Sequence, residues 1–239
     1  VLCIDDGVIR NMLVSVGRPT LTYGFSEDAA YRIRDVKSHQ RQCFFTIDRP
    51  DGLPSLDISL SIPGRHNALN AAAAIAVASD EGLSDQAIIK ALSEFGGVGR
   101  RFELIGDYPV RDGMAVFYDD YGHHPTEVQA TIQAVRDGWP DKRLVMIFQP
   151  HRYTRTRDLY EEFVGVLSTV DVLLILDVYS AGEEVIAGAT SKTLCGSIRQ
   201  RGCIDPIYVA NLEDVPALLA GLVQGDDLVM TQGAGSVSK

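Results

Sequence analysis

Two patterns of apolar and polar positions divide the chain. In the first part, residues 31–36, 42–47 and 56–62 lack a helical period and indicate β-strands. Two helices are predicted after them, an alanine-rich one over 68–79 and another over 85–95. The first part is therefore expected to form a separate unit that contains both helices and strands.

After the glycine-rich stretch 96–99, strands and helices alternate, which predicts right-handed βαβ crossovers and a mostly parallel sheet. The first two strands, split by Arg111-Asp112-Gly113, are expected to form an antiparallel hairpin at one edge. The fold class is therefore α/β, with a Rossmann-like, doubly wound domain over 99–239 and a separate domain over 1–98. The predicted strands are 103–109, 114–119, 143–148, 172–177, 206–210 and 227–231, and the predicted helices are 126–137, 157–169, 191–201 and 213–223.

The most informative polar segment follows the strand predicted over 114–119. It reads Asp119-Asp120-Tyr121-Gly122-His123-His124-Pro125-Thr126 and leads into a helix. Open α/β sheets bind ligands at the carboxyl ends of their strands, and Pro125 suits a first helical turn. So many chemically active side chains favour a ligand site. The alternative is a polar loop with a strong helix start.

A second polar segment, Gln149-Pro-His-Arg-Tyr-Thr-Arg-Thr-Arg157, follows the strand predicted over 143–148. Arginine suits bidentate binding of a carboxylate or phosphate. Positive charge at a helix N-terminus opposes the helix dipole, so Arg152, Arg155 and Arg157 favour an anionic ligand over a solvated basic helix start.

Each of three further segments has two possible interpretations. Asn67 and Asn70 lie three residues apart at a helix start, where they match a purine edge unless Asn67 is only a cap. Arg100 and Arg101 follow the glycine-rich stretch and either reach a nucleotide or belong to a solvated hinge. The segment 179–184 is either a third binding loop at the same edge of the sheet or a turn.

Composition argues against several classes of function. The 239 residues carry 22 Lys and Arg against 32 Asp and Glu, and the net charge of −10 argues against nucleic acid or an anionic membrane as a partner. The four cysteines show no metal-binding spacing, and no metal site is expected from the adjacent His123 and His124. The longest apolar run, 71–78, is too short to insert into a membrane, so a cytoplasmic location is expected.

The ends of the sequence suggest a piece of a longer protein. Residues 1–5 begin without Met inside an apparent strand, and the last residues reach a glycine-rich turn from which another helix should follow. The chain also lacks the G-x-x-x-x-G-K-[S/T] loop that binds phosphates in many ATPases.

Five motifs together resemble the Mur ligases and occur in that family's order. They are Gly64-Arg-His-Asn-Ala-Leu-Asn70, Arg100-Arg-Phe-Glu103, Asp119-Asp-Tyr-Gly-His-His-Pro-Thr126, Pro150-His-Arg-Tyr-Thr-Arg-Thr156 and Val178-Tyr-Ser-Ala-Gly-Glu183. The resemblance covers nearly the whole chain and favours the members that join L-alanine to UDP-N-acetylmuramate. It implies an ATP-dependent ligase of peptidoglycan synthesis. This chain then covers the later part of a P-loop-type central ATPase domain, without the P-loop, and most of the C-terminal domain.

The resemblance also implies roles for individual residues. The residues expected to bind ATP are His66, Asn67, Asn70, Arg101 and Asp120. The residues expected to surround L-alanine are Tyr121, His123, Arg152 and Arg155. The residues expected to act in catalysis are Arg101, Asp120 and His123.

The reaction that the resemblance implies runs through an acyl phosphate. A carboxylate of UDP-N-acetylmuramate takes the γ-phosphoryl group of ATP, and the amine of L-alanine then displaces phosphate. Mg²⁺ is an expected cofactor, with its ligands in the missing part together with the phosphate loop and the sugar-nucleotide domain. This piece alone is therefore expected to be inactive.

Two alternatives remain. The first is the related recycling ligase, which attaches a whole tripeptide to the same sugar nucleotide. The second is a non-catalytic nucleotide-binding module that kept the fold and lost the chemistry.

Overall fold

A computed structural model describes residues 1–238 and divides the chain into two compact units. The first unit comprises Val1–Gly97 with Asp137–Trp139, and the second comprises Val98–Arg136 with residues 140–238. The expected domains 1–98 and 99–239 stay a prediction.

The first unit contains a five-stranded mixed sheet in the order β1-β2-β3-β4-β5. The first three strands pair in parallel, whereas β3, β4 and β5 form an antiparallel meander. The elements of this unit are β1 (Leu2–Cys3), α1 (Gly7–Met12), a 3-10 turn (Leu13–Ser15), β2 (Thr22–Gly24), β3 (Tyr31–His39), β4 (Gln42–Asp48), β5 (Leu56–Leu60), α2 (Arg65–Asp80) and α3 (Asp85–Glu94).

The core of the first unit lies between this sheet and the alanine-rich helix α2. Ala68, Ala72, Ile75 and Ala76 of α2 are fully buried and share one helical face. Small side chains on that face let α2 approach the strands closely. Sequence patterning predicted this helix and its neighbour correctly, but α2 begins at Arg65, three residues earlier than expected.

The second unit contains a six-stranded sheet in the order β10-β9-β8-β11-β7-β6. All neighbouring strands are parallel except the edge pair β6–β7, which confirms the expected antiparallel hairpin. The strands are β6 (Glu103–Val110), β7 (Gly113–Asp120), β8 (Leu144–Phe148), β9 (Val172–Leu176), β10 (Ile207–Val209) and β11 (Leu228–Gln232). The helices are α4 (Pro125–Gly138), α5 (Tyr153–Asp158), α6 (Tyr160–Leu167), α7 (Ser191–Arg201), α8 (Val215–Leu222) and a 3-10 turn (Leu212–Asp214).

Helices cover both faces of this sheet because the chain reverses direction after β10. Successive crossovers carry the chain outward from β7 to β10, and the connection through α8 returns β11 to the middle of the sheet. Right-handed crossovers in opposite directions place their helices on opposite faces. The core on the α8 side joins Val215 and Val223 to strand residues such as Ile147, Leu174 and Val229. This is the doubly wound α/β architecture expected from the sequence.

One helix prediction was wrong in its bounds. A single helix was expected over 157–169, but the structure has α5 and α6, separated by Leu159 with φ −116° and ψ 29°. The earlier start has a tertiary cause, because Glu183, from a distant loop, accepts hydrogen bonds from the amide and hydroxyl of Thr154 in the first turn of α5. Local periodicity carries no information about such a cap.

No helix within residues 1–238 combines the length and apolar character needed to cross a bilayer.

Gly233, directly after β11, provides a test of this packing. Its φ is +148°, and an added Cβ would lie 2.7 Å from the carbonyl oxygen of Gln149. Gly233→Ala should therefore lower the free energy of unfolding of the second unit by about 1–3 kcal/mol, measured by chemical denaturation. Gly196→Ala is the control, because that glycine lies within α7 with open space around it and should gain about 0.4–1 kcal/mol. Equal effects of the two substitutions would contradict the packing described here.

Candidate functional site

The carboxyl ends of β7, β11 and β8 lie side by side at one edge of the second sheet. Asp120 is paired in register with Gln232, and Gln232 with Phe148. The polar segments that follow these strands therefore meet at this edge, which we call the carboxyl rim. An isolated bridge between His151 and Tyr179 extends the rim past β9.

Asp120 organises the start of the rim. Its Oδ1 accepts hydrogen bonds from Gly122 N at 2.8 Å, from Gln232 Nε2 at 2.8 Å and from the Thr131 hydroxyl at 3.2 Å. Its Oδ2 accepts from Phe102 N at 3.0 Å, and the side chain is buried. One carboxylate thus joins the segment before β6, the loop after β7, helix α4 and strand β11. These contacts give Asp120 a positioning role, and direct contact with a nucleotide stays a prediction.

The close approach to Asp120 explains the glycine at position 122. A Cβ there would lie 2.6 Å from Asp120 Oδ1 and 2.6 Å from Gln232 Nε2. Both distances are too short, so a larger residue would push the loop away from the carboxylate.

The two arginines before β6 have different surroundings. Arg100 Nε donates to Asp119 Oδ2 at 2.8 Å, and its Nη2 donates to Gly233 O at 2.8 Å. Arg101 is 53% exposed, and its closest acidic neighbour is Glu127, 4.0 Å from Nη1. The guanidinium of Arg101 lies 5.5 Å from the centre of the Tyr121 ring. Arg100 therefore holds the rim together, whereas Arg101 has the exposure that binding an anion requires.

Glu127 and His124 fix the start of helix α4. The Glu127 Oε2 accepts from the amides of His123 at 2.8 Å and His124 at 3.1 Å, while His124 Nδ1 accepts from Thr126 N at 3.2 Å. Burial raises the pKa of Glu127, but the two amides, the His123 ring and Arg101 outweigh it and hold this pKa below its ordinary value. Glu127 is therefore a carboxylate at neutral pH, next to the rim.

Four aromatic rings form a continuous row along the rim. The ring centres are separated by 5.4 Å from Tyr121 to His123, by 5.6 Å from His123 to His151 and by 5.3 Å from His151 to Tyr179. The last pair is stacked with an angle of 15° between the ring planes. Because these rings come from three separate loops, the row forms only when the strands are correctly paired.

Arg155 lies against His151 and limits its charge. Its Nη1 donates to the carbonyl oxygen of His151 at 3.0 Å and lies 3.2 Å from His151 Nδ1. Burial, followed by the positive charge of Arg155, lowers the pKa of His151 below its ordinary value. His151 is therefore neutral at physiological pH.

Arg152 stands at the start of α5 with a positive φ of 72°. Its side chain is 49% exposed, and Nη1 lies 3.6 Å from Glu183 Oε1. The amide and hydroxyl of Thr154 lower the pKa of Glu183, so this carboxylate stays charged as it holds the turn. The segment 179–184 thus acts as a support for the arginine loop and places Tyr179 in the row of rings.

The predicted ATP-binding residues of the first unit lie in the first two turns of α2. Asn67 Nδ2 donates to Pro63 O at 2.7 Å, and Asn70 Nδ2 lies 3.4 Å from Asn67 Oδ1. Gly64 occupies the cap position, so the alternative of Asn67 as the N-cap was wrong. His66 and Asn67 are half-buried and Asn70 is exposed. Their role with ATP stays a prediction.

The structure brings together Arg101, Asp120, Tyr121 and His123 at one end of the rim, and places Arg155 beside His151 farther along. Sequence reasoning did not single out three rim side chains, His151, Glu127 and Tyr179. For His151 the available signal was its position next to Arg152. For Glu127 it was the third position of the helix that begins at Pro125.

Within residues 1–238, no three His, Cys, Asp or Glu side chains are arranged to hold a metal ion.

Two family descriptions match the chain in sequence. "Mur ligase, glutamate ligase domain" matches residues 100–235, and "Mur ligase middle domain" matches residues 1–78. The first match covers more than half of the 239 residues. The chain belongs to the Mur ligase family.

Solved structures of ligases have the same fold. The UDP-N-acetylmuramate-alanine ligase MurC from Thermotoga maritima has a TM-score of 0.76 and 23% identity, over 98% of this chain and 48% of that one. The MurF ligase from Thermotoga maritima in complex with ADP has a TM-score of 0.69 and 19% identity, over 99% of this chain and 49% of that one. A murein peptide ligase from Psychrobacter arcticus has a TM-score of 0.55 and 22% identity, over 87% and 42%. The chain thus spans about half the length of the ligases that it resembles.

The Asp120 network makes a stability prediction. Asp120→Asn keeps the shape of the side chain but replaces one acceptor oxygen with an NH₂ group, which faces one of the four hydrogen-bond donors. A buried donor that loses its acceptor lowers the free energy of unfolding by about 1–3 kcal/mol. We expect a loss of about 2 kcal/mol in the free energy of unfolding, measured by urea denaturation. Asp226→Asn is the control, because that side chain is 99% exposed and should change stability by less than about 0.5 kcal/mol. An Asp120→Asn protein as stable as the control would contradict the network.

Proposed function

We propose that this chain is part of an ATP-dependent ligase that joins L-alanine to UDP-N-acetylmuramate during cytoplasmic synthesis of peptidoglycan precursors. A carboxylate of the sugar nucleotide is activated as an acyl phosphate, and the amine of L-alanine attacks it. The observation that carries the proposal is the row of four rings, with arginines beside it, on the carboxyl rim of a Mur ligase domain.

The rim has the groups that an amino acid substrate requires. A small amino acid must have its carboxylate bound while its amine stays free to react. Arg152 and Arg155 come from one short helix and its start, and an arginine binds a carboxylate through two parallel hydrogen bonds. The rings of Tyr121 and His123 lie on the other part of the row and supply a wall and a polar nitrogen. Arg155 uses one nitrogen on His151, which fixes the direction of its guanidinium.

Three side chains of the chain have chemistry that suits a nucleotide, namely those of Asn67, Asn70 and Arg101. The side-chain amides of Asn67 and Asn70 are of the kind that a purine edge pairs with, and the bond from Asn67 Nδ2 to Pro63 O fixes the orientation of the first amide. Arg101 has the charge and exposure needed to offset negative charge on transferring phosphoryl oxygens. The ligase from Thermotoga maritima solved in complex with ADP supports a nucleotide in this family.

Magnesium is assigned outside the described residues. In phosphoryl-transfer sites a Mg²⁺ ion is held by one or two carboxylates together with substrate phosphates and water, and we expect those carboxylates in the part of the protein that carries the phosphate-binding loop. When bound, the ion would neutralise charge on the phosphates. The phosphate-binding loop is absent from this sequence, so we propose that this chain alone is inactive.

The recycling ligase remains the alternative within the family. The murein peptide ligase from Psychrobacter arcticus has the same fold at similar identity. Its occupant is a peptide, which needs an open pocket. Arg152 and Arg155, three residues apart on one short helix and its start, suit the single carboxylate of a small amino acid and favour L-alanine. A binding module without catalysis is the alternative from another class, and it gives no reason for a histidine pair beside paired arginines.

The proposed reaction is tested by phosphate release. The complete protein that carries this chain is incubated with ATP, Mg²⁺ and UDP-N-acetylmuramate, with L-alanine in one sample and L-Ala-γ-D-Glu-diaminopimelate in another. We expect turnover with L-alanine and little with the tripeptide. Turnover with the tripeptide alone would identify the recycling ligase, and saturable ATP binding without turnover would identify a binding module.

Arg152 provides a second test, on substrate binding. Arg152→Ala removes a charge-assisted pair to the carboxylate, so the KM for L-alanine should rise about 10- to 100-fold. The KM for ATP should stay the same. Arg157→Ala is the matched control, because Arg157 lies on the same helix and pairs with Asp158. An unchanged KM for L-alanine in Arg152→Ala would contradict the assignment.

A further inference from the structure

The hydrogen bonds of His123 determine which ring nitrogen carries its proton. Nδ1 lies 3.0 Å from the carbonyl oxygen of Tyr121, and a carbonyl oxygen only accepts. Nδ1 must therefore be the protonated nitrogen, and the neutral ring has its lone pair on Nε2. Glu127 Oε2 lies 3.6 Å from the same Nδ1, so a carboxylate stands behind the ring.

His151 has the opposite tautomer. Its Nδ1 lies 3.2 Å from Arg155 Nη1, and an arginine only donates. Nδ1 must accept, so the proton lies on Nε2. A second proton on this ring would point at the guanidinium, and this geometry therefore requires a neutral His151.

We propose that His123 and His151 act together, and that His123 Nε2 takes a proton from the ammonium of the incoming amino acid. His151 is a positioning residue, held neutral by Arg155 and held in place by its stacking on Tyr179. This inference rests on the proposed function, and it adds the general base and the residue that orients it.

The proton step is balanced. One N–H bond of the ammonium breaks, an Nε2–H bond forms on His123, and the electron pair stays on the substrate nitrogen as the nucleophile. The positive charge passes to the imidazolium. Glu127, on the opposite side of the ring, stabilises that charge as a carboxylate.

The neutrality of His151 matters because the two rings are in contact. A charged neighbour 5.6 Å away would oppose the proton that His123 must accept. The groups that face His123 are Tyr121 from its own loop, Glu127 from α4 and His151 from the loop after β8, and Arg101 from the segment before β6 lies 4.0 Å from Glu127. The groups that face His151 are Arg152 and Arg155 from α5 and its start, His123, and Tyr179 and Glu183 from the loop after β9.

The first test uses this chain without any ligand. Nitrogen-15 spectra of the histidine rings at pH 7.5, assigned with His→Gln variants, report the protonated nitrogen of each ring. We expect His123 to be protonated at Nδ1 and His151 at Nε2. A His151 ring that is protonated at Nδ1, or at both nitrogens, would overturn the proposal. His39, an exposed residue on β3, serves as the internal reference.

The second test uses the complete protein and follows kcat with L-alanine against pH. His123→Gln should lower kcat about 10²- to 10⁴-fold and abolish the fall in kcat on the acid side, because no base remains to be protonated. The His39→Gln protein should keep the original profile. An unchanged acid limb in His123→Gln would overturn the assignment of the base.

The positioning role of His151 is tested by a pair of variants. His151→Ala removes the ring between His123 and Tyr179, and misplacement of a reacting group should lower kcat at least about tenfold. His151→Phe keeps a neutral ring and should recover most of kcat while its acid limb stays in place. Equal impairment in both variants, or none in either, would contradict a positioning role.

These experiments distinguish the failure of the proposed proton transfer from the failure of the proposed function. Turnover with L-alanine together with an unchanged acid limb in His123→Gln would leave the function standing and remove the base. Absence of turnover with every amino acid acceptor would remove the proposed function and the proton step together, whatever tautomers the spectra show.

Discussion

A buried carboxylate requires donors, and Asp120 finds them in four separate parts of the second unit. Because both of its oxygens are in use, movement of any one part would leave a buried charge poorly solvated. The carboxylate therefore ties the segment before β6, the loop after β7, helix α4 and strand β11 into one arrangement. The positions of Arg101, Tyr121 and His123 depend on it, because they are attached to the segments that it joins.

The order of the strands turns this local network into an extended site. Strand β11 is last in sequence but lies between β7 and β8, so it brings Gln232 against Asp120 and Gly233 against Gln149. The loops after β7 and β8 reach each other across the end of β11, where the rings of His123 and His151 meet. A site of this kind has low tolerance for changes at the end of β11, although that strand contributes no ring to the row.

Sequence patterning predicted the alternating architecture, the edge hairpin and the meeting of polar segments at one edge of the sheet. These features follow from periods of two and 3.6 residues and from the geometry of parallel strands, which are local properties. The short helix α5 was missed because its cap, Glu183, is 29 positions away from Thr154. The place of His151 in the ring row was missed for a similar reason, since it depends on contacts with Arg155 and Tyr179. The adjacent His123 and His124 look equivalent in sequence, but their hydrogen bonds differ. His124 caps helix α4, whereas His123 belongs to the row of rings.

The rim forms only if loops that are distant in sequence are in contact. Cross-relaxation between ring protons in this chain, measured by nuclear Overhauser spectroscopy, tests that contact directly. We predict cross-peaks from His123 to His151 and from His151 to Tyr179, since their ring centres are 5.6 Å and 5.3 Å apart, and their loss in His151→Ala. Absence of both cross-peaks in a chain whose sheet is intact would show that the rim motifs do not converge, and it would contradict the site described here.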